Sequence, residues 1–259
     1  MGQVSDDAYD DLADDYHWLL SDDLLSGATF ARQYGDVLDR LPAGAAVLDC
    51  ACGIGADAVA MARRGFRVWA TDASAGMVEQ ARRRVAGAAV DVPVSLCRWE
   101  ELPLALGRRF EAVFCLGNSL AHLAGADAMA IALAGMRAVL EPGGVLVVDS
   151  RDWECLRAER PRITVADRVI ERDGVRCTSL YVWTLPETWD APHGADIVFV
   201  LERGGPLTYR RHQIHFVPFR RDDLTARVRA AGFDQVEIQD QDAGRYRLSA
   251  VAAPGSERP

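Results

Sequence analysis

Val47-Leu48-Asp49-Cys50-Ala51-Cys52-Gly53-Ile54-Gly55 is the stretch that decides the fold of this 259-residue chain. It begins as a short apolar strand, ends that strand on an acid and turns on two glycines into a helical segment. A turn of this kind places backbone amides at the amino terminus of a helix, where they face a ligand. The sequence therefore predicts a ligand-binding loop at the carboxyl end of a strand.

Strand-like and helical segments alternate along the chain after this loop. Strands are predicted at Ala45–Asp49, Arg67–Asp72, Val92–Cys97, Phe110–Cys115 and Val145–Asp149. Apolar residues at three- and four-residue spacing predict helices at Ala56–Arg64, Ala75–Ala86 and Ala126–Leu140. Glu141-Pro-Gly-Gly is predicted to stop the third helix and to turn into the fifth strand. This alternation is typical of an α/β fold with helices packed on a sheet.

The remaining segments differ in pattern from this core. Alternating β-branched and aromatic residues predict an inserted antiparallel sheet, with segments at Arg162–Ile170, Thr178–Thr184 and Asp196–Leu201. A helix at Arg221–Ala230 and strands at Phe233–Gln239 and Tyr246–Ala252 resume the core. The first forty residues are predicted to be helical, because Val4, Ala8, Leu12, Tyr16 and Leu20 recur every four residues. We divide the chain into a helical lid segment (1–42), a ligand-binding core (43–151), an inserted antiparallel β lid (152–220) and the end of the core (221–259).

The composition excludes several classes of function. A formal net charge of −9 and a pI near 5.1, without a basic patch, disfavour nucleic acid as a partner. The chain has no lysine, which removes Schiff-base chemistry. Neither a signal sequence nor a bilayer-spanning stretch is evident, so we expect a cytoplasmic protein without membrane contact. The six cysteines are scattered, and Cys50 and Cys52 lack a second pair at metal-ligand spacing, so no metal is expected.

Two kinds of cofactor fit the glycine loop. Gly53-Ile-Gly-Ala-Asp-Ala58 matches the dinucleotide pattern, and Asp72 stands near the spacing of a ribose-binding acid, so nicotinamide or flavin has to be considered. Asp49, however, would repel a pyrophosphate in a poorly hydrated cleft. S-adenosylmethionine (SAM) carries a positive ammonium and a positive sulfonium and no phosphate. The acidic strand end therefore favours SAM.

Asp72 and two apolar residues complete the expected nucleoside site. Asp72 ends the second strand, where a carboxylate can accept both ribose hydroxyls. The alternative is a helix cap, but Ser74 is better placed for that role. Trp99 and Met77 are placed to sandwich an adenine ring, although either residue could also be plain core.

At this point four successive motifs resemble the class I SAM-dependent methyltransferases, and among them the glycine and glycine/sarcosine N-methyltransferases. The resemblance covers about Ala45 to Trp153, and Leu116-Gly-Asn-Ser-Leu-Ala-His-Leu123 is its most specific motif. It implies a Rossmann-like class I methyltransferase sheet with helices on both faces. The motifs are Val47-Leu-Asp-Cys-Ala-Cys-Gly-Ile-Gly55, Thr71-Asp-Ala-Ser74, Phe110-Glu-Ala-Val-Phe-Cys-Leu-Gly-Asn-Ser-Leu-Ala-His-Leu123 and Pro142-Gly-Gly-Val-Leu-Val-Val-Asp-Ser-Arg-Asp-Trp153.

The resemblance also implies roles for individual residues. Asn118 would reach the active site and orient the amine, and Arg151 would hold the carboxylate of the substrate. Apart from the resemblance, we expect Tyr9 and Tyr16 of the aromatic amino-terminal segment to accept or relay the proton of the amine. The cofactor-binding residues are expected to be Asp49, Ala51, Gly53, Gly55, Asp72, Ala73, Met77, Arg98, Trp99 and Leu116.

Alternatives remain for some of these side chains. Arg151 could instead form a surface ion pair with Asp152 or Glu154. His122 carries no assigned role. His212 and His215 are predicted to share one face of a strand in the insert, where they could line the pocket.

The predicted function is methyl transfer from SAM to a small amine, glycine, sarcosine or another amino acid. Transfer from a sulfonium is an in-line displacement that depends mainly on proximity and alignment, which can contribute on the order of 7–11 kcal/mol. Tyr9, Tyr16, His17 and Trp18 also resemble N-methyltransferases that tailor the amines of natural products such as antibiotics. A non-catalytic SAM-binding module is a third hypothesis. The expected partner is a small-molecule amine, and homo-oligomerisation is left open.

Overall fold

The computed structural model describes residues 6–189, 191–242 and 244–254, and its strands form two sheets. The larger sheet has seven strands in the order β11-β12-β5-β4-β1-β2-β3. Strands β1 to β5 run parallel to one another. At one edge β12 pairs antiparallel with β5, and β11 pairs antiparallel with β12. The strands are β1 (Ala46–Asp49), β2 (Arg67–Asp72), β3 (Val94–Leu96), β4 (Phe110–Cys115), β5 (Leu140–Arg151), β11 (Phe233–Gln241) and β12 (Arg245–Ala252).

Helices cover both faces of this sheet, as predicted. Consecutive residues Val47 and Leu48 are both fully buried, yet they belong to two different apolar clusters on opposite faces. A parallel sheet buried on both sides requires such unbroken apolar strands. The helices that follow the amino-terminal segment are α4 (Ala56–Arg63), α5 (Ala75–Ala88), α6 (Leu102–Leu106), α7 (Ala126–Ala138), α8 (Trp153–Glu159) and α9 (Arg221–Ala230).

The insert forms the smaller antiparallel sheet, in the order β10-β9-β8-β6, with β7 also paired to β8. Its inner face is buried, because alternate residues of β9 point toward the core. The expected antiparallel insert is therefore confirmed. The segment predicted at Arg162–Ile170 is divided between two strands, and helix α8 was not predicted. The strands are β6 (Ile163–Val165), β7 (Ile170–Arg172), β8 (Val175–Thr184), β9 (His193–Glu202) and β10 (Thr208–Phe216).

The amino-terminal segment is helical but broken. It contains α1 (Asp6–Leu12), a 3₁₀ turn at Tyr16–Leu19, α2 (Asp22–Ser26) and α3 (Ala28–Leu38). The four-residue periodicity predicted one continuous helix. Instead, Leu20 is extended and the side chain of Ser21 caps a new helix, which ends at Gly27 with φ 84°. Val4, the first residue of that periodicity, lies outside the described residues.

Strand β5 is longer than predicted. It begins at Leu140, so Glu141-Pro-Gly-Gly belongs to the strand, and helix α7 ends at Ala138. Phe110 pairs with Leu140 and Ala112 with Val145, and a register irregularity between these pairs accommodates the extra residues. Gly143 and Gly144 therefore lie at a bulge within β5, where the sequence predicted a turn before the strand.

Candidate active site

A cavity of about 620 Å³ lies at the carboxyl ends of the parallel strands. The order of the sheet reverses between β1 and β4, the position where ligands bind in open α/β sheets. The amino-terminal segment and the insert close the cavity from above. Its wall includes Tyr9, Tyr16, Cys50, Ala51, Gly53, Asp72, Ala73, Met77, Arg98, Trp99, Ser119, His122, Pro192, His215 and Val217.

The glycine loop has the geometry that the sequence predicted. Gly53 and Gly55 have φ of 51° and 80°, the left-handed region that favours glycine. The amide of Gly53 donates to Asp72 Oδ2 at 2.8 Å, which ties the loop to the end of β2. Gly55 lies behind the wall of the cavity, where an added Cβ would stand 3.1 Å from Ala81. Gly55 therefore shapes the turn and its packing.

Asp72 is a wall residue and not the cap of α5. Its Oδ1 accepts from the Ser74 amide at 3.0 Å, and the Ser74 side chain caps the helix by accepting from the Met77 amide. The cap that competed with the ribose role is thus supplied by Ser74. Asp72 Oδ1 and Oδ2 each carry one backbone bond, and each oxygen has further capacity to accept.

Three carboxyl groups gather around the loop. Asp49 is 1% exposed and lies beneath the wall, with the Ala51 amide 3.4 Å from its Oδ1. Burial, and then the neighbouring Asp57, raise the pKa of Asp49 well above its usual range. Burial followed by Asp149 raises the pKa of Asp57 to about 7, and burial raises that of Asp72. Asp57, in the first turn of α4, was not among the predicted residues, because one acid in a helical segment forms no pattern of its own.

The expected adenine-binding residues are held in fixed positions. Trp99 Nε1 donates to the carbonyl oxygen of Cys50 at 2.7 Å, which orients the indole on the wall of the cavity. Met77, Ala73 and Arg98 also line the cavity. Leu116, in contrast, is buried behind the wall.

Helix α1 is fastened to the start of α5. Asp10 Oδ1 accepts from the Ser74 hydroxyl at 2.5 Å and from the Gly76 amide at 2.8 Å. A Cβ at Gly76 would come within 2.9 Å of Ala13, so glycine is required for this close approach. The contact brings Tyr9 and Tyr16 to the cavity wall. His17 and Trp18 are not part of that wall.

Arg151 does not form the surface ion pair that was considered. Asp152 pairs with Arg221 at 2.7 Å, and Glu154 lies 3.8 Å from Arg220. The Arg151 guanidinium instead lies 5.1 Å from the ring of Trp183 and 5.8 Å from that of Tyr181, on the inner face of the insert. Its Nε is buried and has no hydrogen-bond partner in the described part of the chain. Burial lowers the pKa of Arg151. A buried guanidinium without an anion suits an acceptor group of a ligand.

A second arginine lies beside Arg151 on the neighbouring strand of the sheet. Arg245 is its register partner on β12, and its guanidinium bonds both oxygens of Asp149 at 2.8 Å. Asp149 also accepts from the Tyr34 hydroxyl at 3.1 Å. This network was not predicted, because it joins residues that are about a hundred positions apart.

Asn118 bonds to residues at the end of β5 and is not part of the cavity wall. It adopts φ 65°, and its amide donates to Asp149 Oδ1 at 2.9 Å. Its Oδ1 accepts from the Arg151 amide at 3.0 Å and from the Ser150 hydroxyl at 3.1 Å. Both lone pairs of that oxygen are therefore filled. The geometry makes Asn118 a support of Arg151, whereas the sequence predicted a contact with the amine.

The two histidines of β10 do not share a face. His212 bonds Asp15 Oδ2 at 2.9 Å, whereas His215 lines the cavity. They are three residues apart, and side chains of a strand alternate with a period of two, so the prediction of a common face was wrong.

In residues 6–189, 191–242 and 244–254, no group of three or more His, Cys, Asp or Glu could hold a metal ion. Over the same residues, no helix combines the length and apolar character needed to cross a membrane.

Comparison with known proteins relates this geometry to one family. A methyltransferase domain model matches residues 47–144. Glycine N-methyltransferase of Rattus norvegicus is 35% identical over 119 residues, which cover 42% of this chain and 41% of the rat protein. The chain thus matches less than half the length of that relative.

Two solved structures share the fold over nearly the whole chain. DesVI of Streptomyces venezuelae superposes with a TM-score of 0.72 at 22% identity, covering 95% of this chain and 98% of DesVI. The sugar N-methyltransferase KedS8 of Streptoalloteichus sp ATCC 53650 gives 0.71 at 22% identity, covering 93% and 92%. The likeness in fold therefore extends over more than nine tenths of this chain in both cases.

Proposed function

We propose that this chain is a class I SAM-dependent methyltransferase that transfers the methyl group of SAM to the amine of a small molecule. The observation that carries the proposal is a cluster of acidic side chains on one side and a buried arginine on the other, neither of which has a partner of opposite charge among the described residues. The acidic side chains lie at the glycine loop, and the Arg151 guanidinium lies against Trp183 on the inner face of the insert. Such a site suits a cationic cofactor and an acceptor-bearing substrate.

The residues present fit SAM. Asp72 would accept the ribose hydroxyls, and Trp99 and Met77 would enclose the adenine. Asp49 and Asp57 lie where a positive methionyl group would relieve their mutual repulsion. A pyrophosphate would increase that repulsion. The acid cluster therefore supports SAM over a dinucleotide.

The substrate end supports an amine that carries a carboxylate or a similar acceptor. Arg151 can grip a carboxylate through two parallel bonds, and the rings of Tyr181 and Trp183 hold its guanidinium in place. The Asn118 side chain fixes the backbone of Arg151 by accepting a hydrogen bond from its amide. Together these residues would direct the amine as well as bind it.

Few catalytic groups are needed for this reaction. Bound SAM supplies an electrophilic methyl group on a sulfonium, and the residues of the chain align the amine and exclude water. Burial raises the pKa of Tyr9 and of Tyr16 well above the usual range, so both hydroxyls keep their protons at mildly alkaline pH. They therefore act as neutral hydrogen-bonding groups, and the amine binds already deprotonated.

A turnover assay tests the function. Purified protein is incubated with SAM and a panel of glycine, sarcosine, other amino acids, their amides and amino sugars, and S-adenosylhomocysteine is quantified. The expected result is turnover with at least one amine, with acids preferred over their amides. If SAM binds but no amine is methylated, the non-catalytic binding module becomes the better interpretation.

A second candidate substrate is an amine on a natural product. The likeness to KedS8 extends over the insert and the amino-terminal segment, whereas the match to glycine N-methyltransferase covers only 42% of the chain. In addition, Leu123, Ala128 and Ile131 give the cavity an apolar extension. Preference for amino sugars over amino acids in the same panel would favour this candidate.

A further inference from the structure

A chain of hydrogen bonds runs from the cavity wall into the insert. The Tyr9 hydroxyl lies 2.8 Å from His122 Nε2, and His122 Nδ1 lies 3.0 Å from the carbonyl oxygen of His215. The His122 ring packs edge-on against Tyr9, with centroids 5.0 Å apart, and tilts against Phe216 at 4.8 Å. Tyr9, His122 and His215 all line the cavity.

The partners of His122 fix its tautomer. A carbonyl oxygen can only accept, so Nδ1 must carry the ring proton. The ring is neutral near pH 7, because burial lowers the pKa of His122 to about 4. Nε2 then has a free lone pair and accepts the proton of the Tyr9 hydroxyl. That proton points at His122, and the lone pairs of the Tyr9 oxygen are left for a ligand.

This direction matters for an attacking amine. A neutral amine attacks with its only lone pair, and a hydroxyl that donates to that lone pair would block the attack. A hydroxyl oxygen that only accepts binds an N–H of the amine instead and leaves the lone pair free. The difference between a hindering and a helping tyrosine is thus the direction of one O–H bond.

We infer that His122 is a positioning residue that turns the Tyr9 hydroxyl into an acceptor for the amine of the substrate, with the carbonyl of His215 locking the required tautomer. This inference rests on the proposed function. It also gives the insert a role in the reaction geometry, because His215 belongs to β10. A second bond, from the Val217 amide to the Ala121 carbonyl oxygen at 2.6 Å, holds the same parts together.

The surroundings of the pair favour this arrangement. Tyr16 stands on the other side of Tyr9, with ring centroids 6.3 Å apart. Besides burial, Tyr16, Tyr181 and Asp72 all disfavour ionisation of Tyr9. Tyr9 therefore remains a hydroxyl whose proton needs an acceptor, and His122 Nε2 is that acceptor.

Two substitutions at His122 separate orientation from packing. His122→Gln keeps an acceptor oxygen near the position of Nε2, and His122→Phe keeps a ring without one. Single-turnover methylation at saturating SAM and amine should fall on the order of 100-fold in His122→Phe and recover most of that loss in His122→Gln. Calorimetric affinity for S-adenosylhomocysteine should change little in either variant. Combining His122→Phe with Tyr9→Phe should be no worse than Tyr9→Phe alone.

The contrary outcomes are distinct. Full activity of His122→Phe, equal losses in the Phe and Gln variants, or additive losses with Tyr9→Phe would overturn the inference. Its failure is separable from failure of the proposed function, because the wild-type protein must methylate an amine for that function to hold. Independently of turnover, ¹⁵N chemical shifts of the wild-type His122 should report the neutral Nδ1–H tautomer, and an Nε2–H tautomer would overturn the inference directly.

Discussion

The two ends of the cavity region differ in their side chains, since one gathers acidic residues at the glycine loop and the other presents Arg151 beneath the insert. At the cofactor end, Asp49, Asp57 and Asp72 follow or face one loop and have no bonded cation among the described residues. At the proposed substrate end, Arg151 lies against the inner face of the insert, and no anion bonded to it is found in residues 6–189, 191–242 and 244–254. Between them, Arg245 and Asp149 neutralise each other. The contrast indicates two ligands of complementary charge and separate determinants for each.

The largest expected effect tests the substrate end alone. Arg151→Lys keeps the positive charge but loses the planar fork, so kcat/KM for a carboxylate-bearing amine should fall on the order of 100-fold. SAM affinity should stay near that of the wild type, because Arg151 lies outside the cofactor cluster. Steady-state kinetics and calorimetry on the same preparation check both values.

A matched control is Arg176→Lys, at an exposed pair with Glu202 on the outer side of the insert. That variant should behave like the wild type, since such surface pairs contribute about 0–1 kcal/mol. If Arg151→Lys is fully active, or if amides react as well as acids, the carboxylate anchor is excluded and the natural-product amine becomes the leading candidate.

The next effect tests the cofactor end alone. Asp72→Ala removes the expected ribose acceptor, and a charged hydrogen bond contributes about 1.5–3 kcal/mol, or roughly 10- to 150-fold in affinity. Titration with S-adenosylhomocysteine should show this loss, and thermal unfolding should show a folded protein. Asp39→Ala, at an exposed pair with Arg64, is the control. Unchanged affinity in Asp72→Ala would remove Asp72 from the site.

The smallest effect is a pH dependence at the cofactor end. With a pKa of about 7, Asp57 holds a proton in the folded chain that the unfolded chain releases near pH 4, so the ligand-free protein loses stability as pH rises between these values. A cationic cofactor favours the ionised carboxylate and expels that proton. SAM affinity should therefore rise about 8-fold from pH 6 to pH 7.5.

Asp57→Asn distinguishes this cause from others. The variant lacks the Asp57 proton, so its SAM affinity should rise less steeply over the same range, and its ligand-free stability should exceed that of the wild type near pH 7. An unchanged slope in Asp57→Asn would place the titrating group elsewhere.

The difference between the two ends also explains how much could be predicted from the sequence. The cofactor loop is local: an apolar strand, two glycines in left-handed conformation and an acid at the end of the next strand lie within 26 residues, 47 to 72. Strands β2 and β4 were predicted with the observed ends, since their apolar runs are bounded by clear turns. Local patterns therefore determined most of this end.

The substrate end depends on contacts between distant segments, which one sequence does not reveal. Arg151 meets Arg245 through strand register and Trp183 through folding of the insert. The pattern of β10 did not show that His215 faces the cavity while His212 binds Asp15. Asn118 was found by resemblance, but its contacts with Ser150 and Arg151 follow from the meeting of two strand ends. The sequence therefore predicted which residues belong to this end more readily than which residues they contact.

Calorimetric titration of the ligand-free protein with SAM, S-adenosylhomocysteine and NAD tests the central claim most directly. The acid cluster at the glycine loop predicts one SAM or S-adenosylhomocysteine bound per chain and no detectable binding of NAD. Binding of NAD without binding of SAM would contradict the assignment of the site, because the same carboxylates would then lie beside a pyrophosphate.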